Sequence, residues 1–293
     1  MPKVDNAIIM AAGTSSRFAP LSYEKPKALI EVKGEILIER QIRQILDAGV
    51  PEVCVVTGYK AEQFSYLEKR FGVKLLHNPD YLTRNNNASV WAARETLRNS
   101  YLCSADNYFS RSPFEAWVDE AYYAAVYAAG ETREWCMEED EAGFISKVTV
   151  GGANAWVMLG HTFWSERFSR SFLRILEEEY DRPETAGKLW ETIFMAHLDE
   201  LKMRIRRYPP DEIFEFDTLD ELRDFDESYR SCSRSALLKR AAGDLGVPES
   251  ELKEIRSLPG KNTAAAGFSF DCKGKRYRFL YETGTLQLDN ERL

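Results

Sequence analysis

The sequence predicts an α/β chain built on a doubly wound, mostly parallel sheet, with a small C-terminal α+β appendage. Apolar runs at residues 7–10, 53–56 and 73–76 read as buried strands. Residues 34–49 place Ile38, Ile42, Ile45 and Leu46 at helical spacing and stop at Gly49, and a second amphipathic stretch follows residues 58–60 and ends at Gly72. A βαβαβ alternation gives a parallel sheet with right-handed crossovers. Such sheets bind ligands beyond the carboxyl ends of their strands.

The chain's 293 residues are enough for one large domain and a smaller appendage. With 44% hydrophobic and 29% charged residues, the composition is that of a soluble globular protein. A net charge of −8 argues against non-specific nucleic-acid binding. No apolar run approaches the ~18–20 residues of a membrane span, and the N-terminus lacks a signal-peptide pattern. The five cysteines (Cys54, Cys103, Cys136, Cys232 and Cys272) are odd in number and widely spaced. They point to a reducing cytoplasm with neither a disulfide framework nor a zinc site. His77, His161 and His197 are scattered, and each reads as a core or surface histidine rather than a catalytic base.

The first loop concentrates the chemistry. After the strand at 7–10, small residues replace large ones through Ala11, Ala12, Gly13, Thr14 and Ser15, so backbone N–H groups can approach an anion. Arg17, Lys25 and Lys27 add three cations within eleven positions. A strand end, a small-residue loop and clustered cations are what a polyphosphate requires. The joint pattern Ala-Ala-Gly-x-x-x-Arg-Phe-x-Pro-Leu-x-x-x-x-Pro-Lys resembles the signature of the sugar-1-phosphate and phosphocholine nucleotidyltransferases. Ser15 stands where many members have a second glycine, which makes that backbone position more constrained here.

The resemblance implies a Rossmann-like nucleotidyltransferase domain over residues 1–230, with a substrate-binding insertion at about 110–205. Residues 77–89 form a polar loop before a helix at 90–97. Its three asparagines and serine suit a turn and an N-cap; the resemblance places Asn85, Asn86 and Ser89 beside the nucleotide and the second substrate. Residues 101–108 read as a strand ending in Asp106, the leading magnesium ligand by resemblance. Asp217, after the strand at 203–208 and before an acid-rich helix at 220–226, matches the second metal carboxylate; its other reading is a helix cap. Mg2+ favours one or two carboxylates with phosphate oxygens and waters.

The insertion is rich in aromatics: a strand at 122–127, two strands at 144–150 and 155–161 joined at Gly151-Gly152, and a helix at 166–180. Core packing is the default for any one of these rings. A quaternary ammonium, however, is held by aromatic faces with a carboxylate, at roughly 0.5–2 kcal/mol per contact. By resemblance to the phosphocholine cytidylyltransferases, Trp135, Trp190 and Glu191 line a choline pocket.

Residues 231–293 form the appendage, with helices at 235–242 and 248–255 and a hairpin at 267–281 turning at Lys273-Gly274. They are similar to the opening of the choline kinase-like domain that some bacterial cytidylyltransferases carry, and they end before any kinase catalytic motif. The implied reaction joins CTP and phosphocholine into CDP-choline and pyrophosphate, with Arg17 steadying the leaving phosphates and Lys27 bridging the α-phosphate and the incoming phosphate. Phosphoethanolamine, 2-aminoethylphosphonate and a sugar 1-phosphate stay open as acceptors, as do a non-catalytic nucleotide-binding role and a homo-oligomeric state.

Overall fold

The computed structural model describes residues 1–260 and 264–289. The strands are β1 (Asn6–Ala11), β2 (Glu31–Val32), β3 (Glu35–Ile36), β4 (Val53–Thr57), β5 (Lys74–His77), β6 (Ser100–Ser104), β7 (Asn107–Phe109), β8 (Tyr122–Glu139), β9 (Ile145–Trp164), β10 (Arg204–Tyr208), β11 (Ile213–Glu215), β12 (Lys253–Pro259), β13 (Ala265–Cys272), β14 (Lys275–Leu280) and β15 (Thr285–Leu288). The α-helices are α1 (Leu21–Glu24), α2 (Leu37–Asp47), α3 (Tyr66–Phe71), α4 (Asn87–Ala92), α5 (Glu166–Glu179), α6 (Trp190–Ala196), α7 (Leu219–Phe225), α8 (Ser228–Ser231) and α9 (Ala236–Leu245). Two compact units divide the chain: Met1–Gly13 with Ile38–Glu215, and Thr14–Leu37 with Phe216–Leu293.

The first unit holds a seven-stranded sheet in the order β10-β8-β9-β6-β1-β4-β5. The β1/β4, β1/β6, β4/β5 and β8/β10 ladders are parallel, whereas β9 runs antiparallel to both β6 and β8. The sheet is therefore mostly parallel, as the alternating pattern predicts. Ile8, Ile9, Val55 and Val56 are fully buried, which is why β1 and β4 read as unbroken apolar runs. Helix α2 buries Ile38, Ile42 and Ile45. Helix α5 starts at Ser165, whose hydroxyl accepts from the Phe168 N–H, and buries Phe168, Phe172, Ile175 and Leu176. Each such side chain contributes about 1.5–3 kcal/mol.

Several elements differ from the sequence expectation. Residues 144–161 do not form two strands joined at Gly151-Gly152; from Ile145 onward they lie within the single strand β9. Its ladder with β8 is broken by register shifts, and Gly151 has φ 78°, so the glycine pair bends the strand without ending it. The strand expected at 101–108 splits, because Asp106 sits in a turn and β7 leaves the main sheet to pair with β11. Residues 248–255 are not a helix but a 3-10 turn followed by β12. The three-residue spacing of buried Leu252 and Ile255 mimics a helix; it arises from a bulge at Glu254, whose φ is 49°.

The second unit contains the four-stranded antiparallel sheet β12-β13-β14-β15 and the β2–β3 hairpin. Lys273 and Gly274, at φ 49° and 73°, make the expected turn between β13 and β14. Phe268, Phe270 and Phe279 form its core. Helix α7 opens with a capping box in which Thr218 and Glu221 satisfy each other's backbone N–H groups.

Candidate active site

In the first unit, the parallel registers pair Ala11 with Thr57 and Met10 with Ser104, so β1, β4 and β6 end together. The Tyr59 N–H donates to the Ala12 carbonyl (3.0 Å) and the Ala105 N–H to that of Met10 (3.2 Å). Gly58 is required here: a Cβ on it would lie 2.7 Å from the Tyr81 side chain and 2.9 Å from the Ala12 oxygen. A Cβ on Gly13 would meet nothing within 4 Å, so the loop keeps room for a ligand at that residue. Asp106 follows directly, in the turn between β6 and β7.

The asparagine run has a structural task as well as a candidate ligand role. Asn87 is fully buried and donates to the carbonyls of Thr185 (2.9 Å) and Lys188. Asn85 donates to the Gly187 carbonyl (3.3 Å). Asn86 accepts from the Trp190 N–H (2.7 Å) and donates to a Glu191 carboxylate oxygen (3.0 Å). These bonds fix residues 185–191 against the start of α4. Ser89 is buried and accepts from Asn78 (3.2 Å), itself 2% exposed.

Glu191 is half-buried, and its second carboxylate oxygen accepts from the Tyr123 hydroxyl (3.4 Å). Burial raises its pKa from 4.5 to about 7, against the lowering effect of hydrogen bonds from Asn86, its own backbone and Tyr123. Burial, and then Glu191, push the Tyr123 phenol well above its ordinary value. Trp190 is 1% exposed. It stacks on Tyr123 (5.8 Å between centroids, 14° between planes) and meets Trp164 edge-on (5.1 Å, 64°). Its ring thus belongs to the core that carries Glu191. Trp135 lies half-buried on β8 opposite Val150, and among the described residues it makes no ring contact with that cluster.

In the second unit, Ser15 adopts the left-handed conformation (φ 47°, ψ 45°) and leads into a 3-10 turn over Ser16–Phe18. The position where the resemblance offers a glycine therefore needs one conformationally, and serine accepts the strain. Arg17 Nη1 lies 2.6 Å from Asp217 Oδ2. Lys27 is 5% exposed, with its ammonium 4.0 Å from Asp217 Oδ1 and 5.5 Å from the centre of the Phe18 ring. The structure thus gathers Arg17, Lys27 and Asp217 within this unit, about 200 residues apart in sequence.

His161 is fully buried, and burial followed by the Arg206 charge pushes its pKa down to about 3. It is a neutral core group bonded to the Tyr122 hydroxyl (2.9 Å) and has no access to a substrate proton. Asn78 and Tyr123 escaped sequence reasoning. Asn78 falls within the polar loop at 77–89 and Tyr123 within the strand at 122–127, and no local pattern singles either out.

The MobA-like NTP transferase domain family matches residues 7–187. The chain is 34% identical over 234 residues to the 2-aminoethylphosphonate cytidylyltransferase of Lancefieldella rimae, covering 78% of this chain and 95% of that protein. It is 29% identical over 225 residues to the choline-phosphate cytidylyltransferase of Streptococcus pneumoniae, covering 77% and 98%. The solved structure of the CTP:phosphocholine cytidylyltransferase from Streptococcus pneumoniae superposes with a TM-score of 0.73 over 76% of this chain and 98% of that one, at 29% identity. The inositol-1-phosphate CTP transferase of T. maritima shares the fold at a TM-score of 0.60 and 14% identity, over 75% and 92%. With a polyphosphate-type loop on the first strand and a family match over more than half its length, this chain belongs to the MobA-like NTP transferases and is a nucleotidyltransferase.

Proposed function

We propose that the protein makes CDP-choline and pyrophosphate from CTP and phosphocholine. Supporting this are the 29% identity to choline-phosphate cytidylyltransferases and, above all, Glu191, a carboxylate kept at a raised pKa between Asn86 and Tyr123. A carboxylate that is costly to ionise alone becomes favourable beside a cation, as the head group of phosphocholine would be. Trp190 and Tyr123 would present apolar surface behind it, with Trp135 a further wall.

A phosphate oxygen of the acceptor attacks the α-phosphorus of CTP. The new P–O bond forms as the bond to the β-phosphate oxygen breaks, and pyrophosphate leaves in line. The nucleophile is already anionic, so no general base is needed, and the protein's task is alignment and charge neutralisation. Lys27, buried beside Asp217, supplies a fixed positive charge for the α-phosphate and the incoming phosphate. Arg17, with its side chain 73% exposed, would hold the departing phosphates. Its ion pair with Asp217 is a surface pair worth about 1 kcal/mol or less, so a triphosphate can take the guanidinium over. Backbone N–H groups of residues 11–15, with Asn86 and Ser89, would meet the nucleotide.

Asp106 and Asp217 are hard oxygen donors of the kind Mg2+ prefers, and we assign them as its protein ligands. Among the described residues no three His, Cys, Asp or Glu side chains converge, so phosphates and water would complete its shell. When bound, the ion supplies charge stabilisation at the α-phosphate and leaving group.

A second reading rests on the 34% identity to a 2-aminoethylphosphonate cytidylyltransferase: the same carboxylate would pair with a primary ammonium, and the nucleophile would be a phosphonate oxygen. An acceptor panel with CTP and Mg2+, read by pyrophosphate release, separates the two. Phosphocholine is expected to give the highest kcat/KM; a preference for 2-aminoethylphosphonate transfers the assignment, and turnover with neither overturns both. No helix among the described residues is long and apolar enough to cross a membrane. We place the enzyme in the cytoplasm, where its substrates are charged and soluble. The resemblance of the tail to the opening of a kinase-like domain stands as part of the same proposal, supported by the antiparallel sheet of β12–β15.

A further inference from the structure

The Lys27-bearing segment is tied at both ends to one short stretch after α7. At its start, Glu24 accepts from the Ser235 hydroxyl and from the N–H groups of Ala236 (2.9 Å) and Leu237 (3.2 Å), the first turn of α9. Tyr23 beside it stacks on Tyr281 (3.7 Å between centroids, 15° between planes). At its far end, the Glu31 carbonyl accepts from the Tyr229 hydroxyl (2.6 Å) and Arg234 Nη1 (3.1 Å). The Lys33 N–H donates to Asp226 (2.7 Å). Burial pushes Asp226 upward, but hydrogen bonds from Ser228 and the Lys33 N–H outweigh it and hold the carboxyl below its ordinary range. Between the two anchors only residues 25–30 are strung, and Pro26 at φ −49° stiffens them.

We propose that Glu24 is a positioning residue for Lys27, and that residues 226–237 act as a saddle holding the cationic loop in its working conformation. The inference rests on Lys27 serving the transfer reaction. Its geometry explains why the appendage belongs with this loop. A carboxylate satisfying three donors at a helix start makes charge-assisted bonds, which resist opening more than neutral ones. Lys27 lies three residues from that anchor, with a restricted proline between. A shift of about 1 Å in a positioned group can cost on the order of a hundredfold in rate.

The test uses the full chain as wild type, E24A and E24Q, and compares hydrogen exchange over residues 25–33, thermal midpoint, and kinetics well below that midpoint. In E24A, exchange over 25–33 is expected to rise at least tenfold while β4 stays protected. Its kcat should fall at least tenfold with the acceptor KM within twofold. E24Q keeps an oxygen for Ser235 but turns an amide N–H2 toward a backbone N–H, so it should fall between. A purely structural role would lower the midpoint and leave kcat of the folded enzyme unchanged, and that result overturns the proposal, as does unchanged exchange. If E24A does not fold, Y229F removes only the far hydroxyl and should speed exchange over 31–33 and lower kcat about threefold. A wild type inactive with every acceptor would sink the functional reading, and exchange alone would then decide the saddle.

Discussion

Replacing Glu191 by glutamine removes the charge and keeps the shape of the group between Asn86 and Tyr123. The wild-type carboxyl sits at about 7 instead of 4.5, so the ionised form is disfavoured by about 3 kcal/mol at roughly 1.4 kcal/mol per unit. The raised value fixes the sign of the stability effect. The folded protein holds the proton more tightly than the unfolded chain, so the contribution of Glu191 is fully present below 4.5 and is lost as pH rises through about 7. Relative to wild type, E191Q should therefore gain up to about 3 kcal/mol between pH 4.5 and 8 in denaturant unfolding.

For catalysis the sign reverses. A cationic head group about 4–5 Å from an ionised Glu191 gains roughly 3 kcal/mol at an effective dielectric of about 20. E191Q should raise the acceptor KM on the order of a hundredfold at pH 8 and leave the CTP KM nearly unchanged. Below about pH 7 the wild-type acceptor KM should climb towards tenfold per unit, whereas E191Q should follow only the acceptor's own phosphate, which titrates near ~6. Steady-state kinetics over pH 5.5–8.5 with both substrates varied is the assay. Equal KM changes for both substrates, or a wild-type profile that parallels E191Q, would refute a cation site at Glu191.

Other substitutions probe separate parts of the structure. Asp106→Ala should lower kcat at least ~10²-fold with the circular dichroism spectrum unchanged; near-normal turnover removes its metal role. Ser15→Gly relieves a left-handed non-glycine residue and should raise stability by about 1 kcal/mol in thermal unfolding. Asn87→Ala strips donors from two carbonyls in a fully buried setting, and a loss of about 2–3 kcal/mol in urea unfolding is expected.

The central strands and their order of appearance could be read from the sequence because β1 and β4 are buried on both faces, and burial of that kind leaves an unbroken apolar run. Gly13, Arg17 and Lys27 stand out in the sequence for a different reason: the anion site we propose there demands small residues and cations at fixed spacing. Local pattern failed where the backbone departs from regularity. Gly151-Gly152 has the composition of a turn but forms a bulge, and Glu254 at positive φ gave Leu252 and Ile255 a helical spacing across the start of β12. Trp190 shows another limit: a tryptophan beside an acid does not tell how far its ring is covered, and here it packs against Trp164 and Tyr123 at 1% exposure. Nothing local announces the link from Glu24 to α9 either, since the three donors there lie more than two hundred residues away.

That separation has a consequence for biosynthesis. Glu24 leaves the ribosome 211 residues ahead of Ser235. At about 5–20 residues per second, roughly 10–40 s pass before its three donors exist. Strands β1, β4, β5 and β6 can pair in that interval, but Glu24 stays without these donors until residue 237 has been made, so a nascent chain ending before Ser235 should expose residues 25–30 to protease.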